Sequence, residues 1–173
     1  MKRVILPLIL FLFFIGESIF VDLVGGQVFG SDRIFVPHFV LMLLILIGIF
    51  YDEKQAIYQG IIFGFLFDIY YTDVIGIHMF MYGFIAYMMG IAKRMLHSNL
   101  FITLLLAILS ITLLETFSYG VYSLVGKSDM TWESFANFRL LPTLVLNTVY
   151  VIISYYPMHK LLFRMKKINK EVV

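Results

Sequence analysis

The chain has 173 residues, of which 61% are hydrophobic and 14% are charged, and its formal net charge is +2. Soluble domains contain about 45–50% apolar residues, so this composition excludes an ordinary soluble domain. The basic residues are too scattered to form a nucleic-acid surface. Cysteine is absent, which excludes disulfides, thiolate catalysis and cysteine-ligated zinc or iron–sulfur sites. The composition therefore predicts a membrane protein.

Six apolar stretches predict six transmembrane helices, because a membrane-spanning helix needs about 20 mostly apolar residues. The connections between the stretches are short. We therefore expect an all-α polytopic membrane protein whose residues 1–173 form one compact six-helix bundle without a soluble domain. The predicted spans cover residues 4–24, 33–51, 56–71, 77–92, 100–125 and 138–163.

The first predicted span resembles a signal peptide in its basic start and its apolar core. No small-residue cleavage site follows that core, and Glu17 and Asp22 stand where such a site is expected. We therefore predict that this segment is kept as the first membrane span.

Lysine and arginine collect on one side of the predicted bundle. That side carries 10 of the 13 basic residues, which are Lys2, Arg3, Lys54, Lys93, Arg94, Lys160, Arg164, Lys166, Lys167 and Lys170. The other side carries the remaining three, Arg33, Lys127 and Arg139. Because basic residues that flank spans stay cytoplasmic, both termini are predicted to lie inside, as an even number of spans also requires. The tail from Arg164 is expected to lie on the anionic membrane lipid of the inner leaflet.

Glycines recur at helical spacing in the third and fourth predicted spans. Gly60 and Gly64 are four residues apart, and Gly76, Gly83 and Gly90 follow at intervals of seven. Each set therefore lies on one helix face. Small residues let two helix backbones approach closely in lipid, and the short connection makes these spans antiparallel neighbours. We predict a tight hairpin, a packing device that many membrane bundles use.

Six polar residues of the predicted spans fall in the outer half of the bundle. A charge costs about 2.5–3.5 kcal/mol at the centre of a span, so we expect these side chains to face protein or water. Three interpretations are open: buried hydrogen bonds and ion pairs with Arg139 as the cationic partner, a docking surface for another membrane helix, or a ligand or ion pocket. The six residues, called the outer polar set below, are Glu17, Asp22, Asp68, His78, Glu115 and Arg139.

The sixth predicted span carries Asn147 deep within it. This residue is most simply an interhelical hydrogen-bonding group. Pro142 and Pro157 lie near the ends of the same span and predict kinks or helix limits.

The sequence offers little support for catalysis. Its histidines do not have the H-E-x-x-H spacing of a metalloprotease, and a G-x-S-x-G nucleophile motif is absent. Lone histidines such as His38 and His159 are predicted to be interfacial side chains rather than ligands. We therefore expect a protein that is not an enzyme and holds no metal or cofactor.

The glycine-rich spans carry a family resemblance. The segment Gly60–Asp68 has the form G-x-x-x-G-x-x-x-D, and it is followed by Gly76-Ile-His78 and by recurrent glycines up to Gly90. This arrangement resembles the MreD family of rod shape-determining proteins. The resemblance covers essentially the whole chain, including Asn147 before the basic tail. The segment Glu17–Asp22 is most similar to the forms found in Bacillus-like Gram-positive bacteria.

This resemblance implies a non-enzymatic scaffold in the cytoplasmic membrane of rod-shaped bacteria. Such a scaffold belongs to the machinery that elongates the cell and organises lateral peptidoglycan synthesis. The bitopic protein MreC is the first expected partner. The actin-like MreB, RodA, RodZ and an elongation-specific penicillin-binding protein are also implied, and a homodimer is open. The family implies no cofactor.

The resemblance also supplies an alternative function. The family's fold is similar to that of the substrate-binding subunits of energy-coupling-factor vitamin transporters, which implies small-molecule capture. Those subunits usually dock their transport partner through an alanine-rich first span. The first predicted span of this chain contains no alanine, so we rank transport below the scaffold function.

Overall fold

A computed structural model of the protein describes residues 5–24, 33–96 and 99–170, and for Val24 and residues 168–170 it describes the backbone alone. Over these residues the chain is all-helical, with six helices and no strand. Lys2, Arg3 and the predicted outer connection at 25–32 lie outside the described residues.

The helices occur in the predicted order. Three of them, α1, α5 and α6, are long and apolar enough to cross a membrane, and α2 is a shorter apolar helix. The bounds are α1 (Ile5–Val24), α2 (Phe39–Leu46, continued by a π-helical turn Ile47–Tyr51), α3 (Glu53–Tyr71), α4 (Ile77–Met95), α5 (Leu100–Leu124) and α6, which consists of Trp132–Phe135, a π-helical turn Ala136–Leu140 and Leu141–Lys170.

The second helix begins later than predicted. Residues 33–38 are not helical, and α2 starts only at Phe39. Pro37 accounts for this difference, because a proline disfavours helical backbone at the residue before it. Hydropathy does not distinguish an apolar extended segment from a helix, so the predicted span 33–51 was wrong over its first six residues.

The extended segment 33–38 is hydrogen-bonded to side chains of α6. The Val36 N–H donates to the Thr143 hydroxyl at 3.2 Å, and the His38 N–H donates to Asn147 Oδ1 at 2.8 Å. Asn147 Nδ2 donates in return to the Val36 carbonyl at 2.8 Å. Buried backbone N–H and C=O groups outside a regular helix need hydrogen-bond partners elsewhere. Asn147 performs this task for the extended segment.

Pro142 explains a further contact between the same two elements. Because proline has no N–H, the carbonyl of Phe138, four residues earlier, lacks its usual helical donor. The N–H of Ile34 donates to that carbonyl at 2.7 Å. The π-helical turn Ala136–Leu140 directly precedes Pro142, so the irregular turn and the proline occur together.

The sixth helix begins at Trp132, six residues before the predicted start at 138, and continues beyond the predicted end at 163. Thr131 caps it, since the Thr131 side chain accepts a hydrogen bond from the Ser134 N–H. Residues 126–137, which lie between the fifth and sixth predicted spans, therefore contain the first turn of α6. Hydropathy located the apolar middle of this helix but not its polar ends.

The centre of the bundle is α2. Every side chain from Val40 to Ile47 is buried, and α2 contacts α1, α3, α4, α5 and α6. A helix that is apolar on all sides belongs in such a central position. The helices around α2 keep apolar side chains exposed on their outer faces, as membrane-facing helices do.

The closest helix pair is α3 and α4. A Cβ atom built on Gly60 would lie 2.9 Å from the Tyr82 carbonyl oxygen, and one built on Gly64 would lie 2.7 Å from the His78 carbonyl carbon. From the other side, a Cβ on Gly83 would lie 2.9 Å from a side-chain atom of α3, and one on Gly90 would overlap the Glu53 side chain. The two helices can therefore pack this closely only because these four positions carry no side chain.

Gly76 does not belong to this packing stripe, and the prediction that placed it there was wrong. A Cβ at Gly76 would meet nothing within 4 Å. Its φ is +110°, a left-handed conformation that glycine adopts readily. Gly76 therefore serves the turn before α4 and not the contact between helices.

The ends of α2, α4 and α6 lie at one end of the bundle together with the start of α3. Glu53 at the start of α3 pairs with Arg94 at the end of α4, at 2.6 Å. Phe50 at the end of α2 contacts His159 in the second half of α6, with ring centroids 4.6 Å apart. The starts of α2 and α6 meet at the opposite end. This arrangement brings the polar residues discussed next into one region.

Candidate functional site

A cavity of about 390 Å³ opens between the late part of α1, the extended segment 33–38, the ends of α3 and α5, and the start of α6. We call it the polar cavity. Its volume lies within the range of about 300–1,000 Å³ that is typical of ligand sites. Four members of the outer polar set line it, namely Glu17, His78, Glu115 and Arg139.

Glu115 is the most strongly bonded acid of the polar cavity. Its Oε1 lies 2.8 Å from His38 Nε2, and its Oε2 accepts from Arg139 Nε at 2.7 Å. Glu115 and His38 are buried, whereas the Arg139 side chain is 36% exposed. This trio joins α5, the segment before α2, and the start of α6. Arg139 is thus a cationic partner, as the first of the three interpretations expects, and the prediction that His38 is an interfacial side chain was wrong.

Glu17 joins α1 to α2. Its Oε2 accepts from the Val40 N–H at 3.2 Å, in the first turn of α2. A carboxyl group is favoured there because the N–H groups of a helix start carry partial positive charge. The neighbouring Ser18 hydroxyl is hydrogen-bonded to the Tyr71 hydroxyl and so links α1 to α3 as well.

Asp68 and His78 form a separate cluster at the turn between α3 and α4. Asp68 Oδ1 accepts from the backbone N–H of His78 at 3.0 Å and lies 2.8 Å from His78 Nδ1. Asp68 Oδ2 accepts from the N–H groups of Gly76 and Met79, at 2.9 and 3.0 Å. The carboxylate therefore binds the free donors at the start of α4, as an N-capping group does.

The outer polar set is therefore divided. Glu17, Glu115 and Arg139 belong to the polar cavity, while Asp68 and His78 belong to the hairpin turn, with His78 also reaching the cavity wall. Asp22 is exposed and lies outside both groups.

Three buried polar atoms at the polar cavity lack a hydrogen-bond partner within the part of the chain that the structure describes. They are Glu17 Oε1, His38 Nδ1 and Ser118 Oγ. An unsatisfied buried polar group costs about 1–3 kcal/mol, and native proteins keep few of them. All three residues line the same cavity. Their grouping makes the polar cavity the candidate binding site of the described structure.

Reasoning from the sequence did not place His38 or Ser118 at this site. His38 is 77 residues away from Glu115 in the chain, and no helical spacing connects them. The one local signal was Pro37, which turns the preceding backbone into an extended segment that buries His38. Among the described residues, no three His, Asp or Glu side chains come together as a metal site would require.

Comparison with known proteins identifies relatives of this chain. The family model described as "rod shape-determining protein MreD" matches residues 2–165. The curated "Rod shape-determining protein MreD" of Bacillus subtilis (strain 168) is 37% identical to this chain over 167 residues, which cover 96% of this chain and 97% of the relative. No solved structure matches the chain.

Proposed function

Because the chain belongs to the MreD family of rod shape-determining proteins, we propose that it is a non-enzymatic scaffold of the rod-shape complex that binds MreC. In this role it helps to organise lateral peptidoglycan synthesis in the cytoplasmic membrane. The match over nearly the whole chain carries the proposal, and it confirms the family resemblance found in the residues. MreB, RodA, RodZ and an elongation-specific penicillin-binding protein are the further partners that this role implies.

In the proposed topology all six helices span the membrane as a single domain, with both termini in the cytoplasm. The apolar lengths of α1, α5 and α6 support this arrangement, and so do the distribution of basic residues and the alternation of helix ends. Helix α2 is short, and the extended segment 33–38 before it adds to the length of chain that would cross the membrane. The similarity to the substrate-binding subunits of energy-coupling-factor transporters stays a prediction.

Single cysteines test this topology, since the chain has none of its own. Cysteines at Thr72 and Ser128 should react with a membrane-impermeant thiol reagent in intact cells, whereas a cysteine at Gln55 should react only after lysis. Labelling of the Gln55 position in sealed cells would contradict the topology.

The polar cavity is the proposed docking place for the partner. Its three unsatisfied polar atoms can accept hydrogen bonds from, or donate them to, an incoming chain. Its rim includes Val21 and Ile34, each 40% exposed, so an apolar helix can rest beside the polar groups. A bitopic protein offers this combination of one apolar helix and an adjoining polar segment.

Site-specific crosslinking in cells tests the docking place. A photo-reactive amino acid at Val21 or Ile34 should capture MreC, identified by mass spectrometry. The matched controls are Phe101 and Leu105, which are exposed apolar residues near the start of α5, far from the cavity. Equal capture of MreC from all four positions would show that the cavity is not the docking place. Capture of transporter ATPase subunits would replace the scaffold function with transport.

Small-molecule capture is the second candidate function, and the polar cavity is the observation that favours it. His38 Nε2 faces the Glu115 carboxylate, so His38 Nδ1 is left to accept a hydrogen bond, as is Glu17 Oε1. A ligand with amino or hydroxyl donors on a partly aromatic body would suit these groups, because Phe67 and Tyr71 also line the cavity.

Nutrient dependence separates the two functions. Strains carrying Glu17→Gln or Ser118→Ala would be grown in rich and in minimal medium, and cell width would be measured. A scaffold predicts the same width defect in both media. Recovery of normal width when one particular nutrient is in excess would favour capture.

A further inference from the structure

A second cavity, of about 480 Å³, lies at the end of the bundle opposite the polar cavity. It is formed where α2, α4 and the last turns of α6 meet. We call it the basic cleft, because Lys93, Lys166 and Lys167 line it and none of its described lining residues is acidic. Neither the proposed scaffold role nor the polar cavity makes use of this cleft.

Lys93 and Lys166 both line the basic cleft, and their positive charges repel each other. The side chain of Lys93 is partly buried, and this burial lowers the pKa of Lys93. The Lys166 ammonium lowers it further, and the Asp52 and Glu53 carboxylates act in the opposite direction. Glu53 is already paired with Arg94 on the outside of the hairpin. An anion between Lys93 and Lys166 would add an attraction to each of these two ammonium groups, which otherwise repel each other.

The rest of the basic cleft is apolar and aromatic. Ile49, Phe50 and Phe163 line it together with His159. The His159 ring contacts Phe50, with centroids 4.6 Å apart, and stacks near Phe163 at 6.2 Å. Phe163 is 60% exposed, so the apolar wall continues onto the membrane-facing surface. A ligand with a negatively charged headgroup and an apolar chain would contact both the lysines and the aromatic side chains, whereas a free ion would contact only the lysines.

We propose that the basic cleft binds the headgroup phosphate of an anionic phospholipid between Lys93 and Lys166, with an acyl chain lying along Phe163. Basic pockets between membrane helices are known to take lipid headgroups in this way. The inference depends on the proposed topology only for the leaflet, which is the cytoplasmic one. A bound lipid would join the ends of α2, α4 and α6.

Lipid binding to the purified full-length protein tests the proposal. The protein in detergent would be titrated with short-chain phosphatidylglycerol, and bound lipid would be counted by native mass spectrometry. Phosphatidylglycerol should bind, and phosphatidylcholine at the same concentration should not. Lys93→Gln should weaken phosphatidylglycerol binding about fivefold, since one basic residue near an anionic surface contributes about 1 kcal/mol. The Lys93→Gln/Lys166→Gln double variant should weaken it about 25-fold.

The matched control is Lys160→Gln, which removes the same charge from an exposed position on α6 outside the cleft. It should change binding less than twofold. Without lipid, Lys166→Gln should melt no lower than the wild type, because it removes the repulsion with Lys93. If Lys93→Gln proves misfolded, Lys166→Gln carries the test alone.

Three results would overturn the proposal. One is equal binding of phosphatidylcholine and phosphatidylglycerol. Another is an effect of Lys166→Gln no larger than that of Lys160→Gln. The third is binding of inorganic phosphate as tight as that of phosphatidylglycerol, which would indicate a free anion and not a lipid. None of these readouts involves cell shape, so failure here is distinct from failure of the scaffold proposal.

Discussion

Two clusters of buried polar residues lie near the same end of the bundle, and they differ in how completely they are hydrogen-bonded. At the hairpin turn, the two oxygens of Asp68 accept from four N–H groups. At the polar cavity, Glu17, His38 and Ser118 each keep a buried polar atom without a partner among the described residues. Burial of charge alone thus does not mark the functional site. The grouping of three unsatisfied atoms at one cavity is what singles out the polar cavity as the candidate site.

The packing around the two clusters also differs, because it is tight at the hairpin turn and open at the polar cavity. The hairpin brings two backbones together at Gly60 and Gly64, leaving no room for a Cβ. The polar cavity is bounded by an extended segment and by helix ends, and it encloses about 390 Å³. The hairpin is therefore expected to respond to mutation through stability, and the cavity through function.

The largest expected effect is that of Gly64→Leu. The neighbours of Gly64 are backbone atoms of His78 and Met79, which cannot move aside as a side chain can. Overpacking typically costs about 1–3 kcal/mol, and this variant should lie at or above the upper end. Its accumulation in membranes and its melting temperature in detergent should both fall sharply.

Two glycine variants serve as controls for that measurement. Gly83→Leu should be less harmful than Gly64→Leu, because a Cβ there meets only the flexible Ile61 side chain. Gly16→Ala should leave the protein at wild-type stability, since nothing lies within 4 Å of that Cβ. Equal melting temperatures for Gly64→Leu and the wild type would show that α3 and α4 are not in close contact.

Asp68→Ala is expected to have the next largest effect. It removes the acceptor from the donors at the start of α4, and each unsatisfied buried donor costs about 1–3 kcal/mol. We expect a loss of about 3 kcal/mol in the free energy of unfolding. The control is Asp73→Ala, whose side chain is 79% exposed and pairs with Lys127 on the surface; such a pair contributes about 0–1 kcal/mol. Comparable losses for the two variants would argue against a capping role for Asp68.

Arg139→Ala should have an intermediate effect on stability and a clear effect on shape. Glu115 would lose one partner but keep His38, and Arg139 is partly exposed. The stability loss should therefore be about 1–2 kcal/mol rather than that of a fully buried ion pair. Cells carrying the variant should become wider and rounder at near-normal protein levels. Normal width in cells that contain the variant protein would remove Arg139 from the functional site.

The smallest expected effects on stability come from deleting an unsatisfied hydroxyl. Ser118→Ala and Tyr82→Phe each remove a buried oxygen without a partner in the described structure, so neither should lower the melting temperature. Only Ser118 lines the polar cavity. Cell width should therefore change in Ser118→Ala and stay normal in Tyr82→Phe. A width change in both, or in neither, would break the link between the cavity and shape.

Much of the helix arrangement could be predicted from the sequence. The bounds of α1, α3, α4 and α5 fall within three residues of the predicted spans, because apolar runs between charged or glycine-rich connections mark helices well. The start of α2 could not be placed this way. Residues 34–36 are as apolar as a helix of a membrane protein needs, and only Pro37 indicates that the segment is extended.

The grouping of the polar residues was only partly predictable. Depth along each helix correctly placed Glu17 and Glu115 toward the same end of the bundle. It did not distinguish Asp68, whose two oxygens are both hydrogen-bonded, from Glu17, which keeps one oxygen without a partner. The hydrogen bonds of Asp68 depend on N–H groups that the turn at Gly76 brings near it. His38 and Ser118 escaped prediction for the same reason. Their partners, or lack of them, follow from tertiary contacts between distant segments.

The most direct test of the account is to measure Glu17→Gln for melting temperature and cell width together. The glutamine oxygen can still accept from the Val40 N–H, while the carboxylate oxygen that lacks a partner becomes an amide nitrogen. We predict a melting temperature equal to that of the wild type and cells that are wider than wild-type cells. Wild-type width at a normal protein level, or a width defect that only follows a lowered melting temperature, would contradict a functional role for the polar cavity.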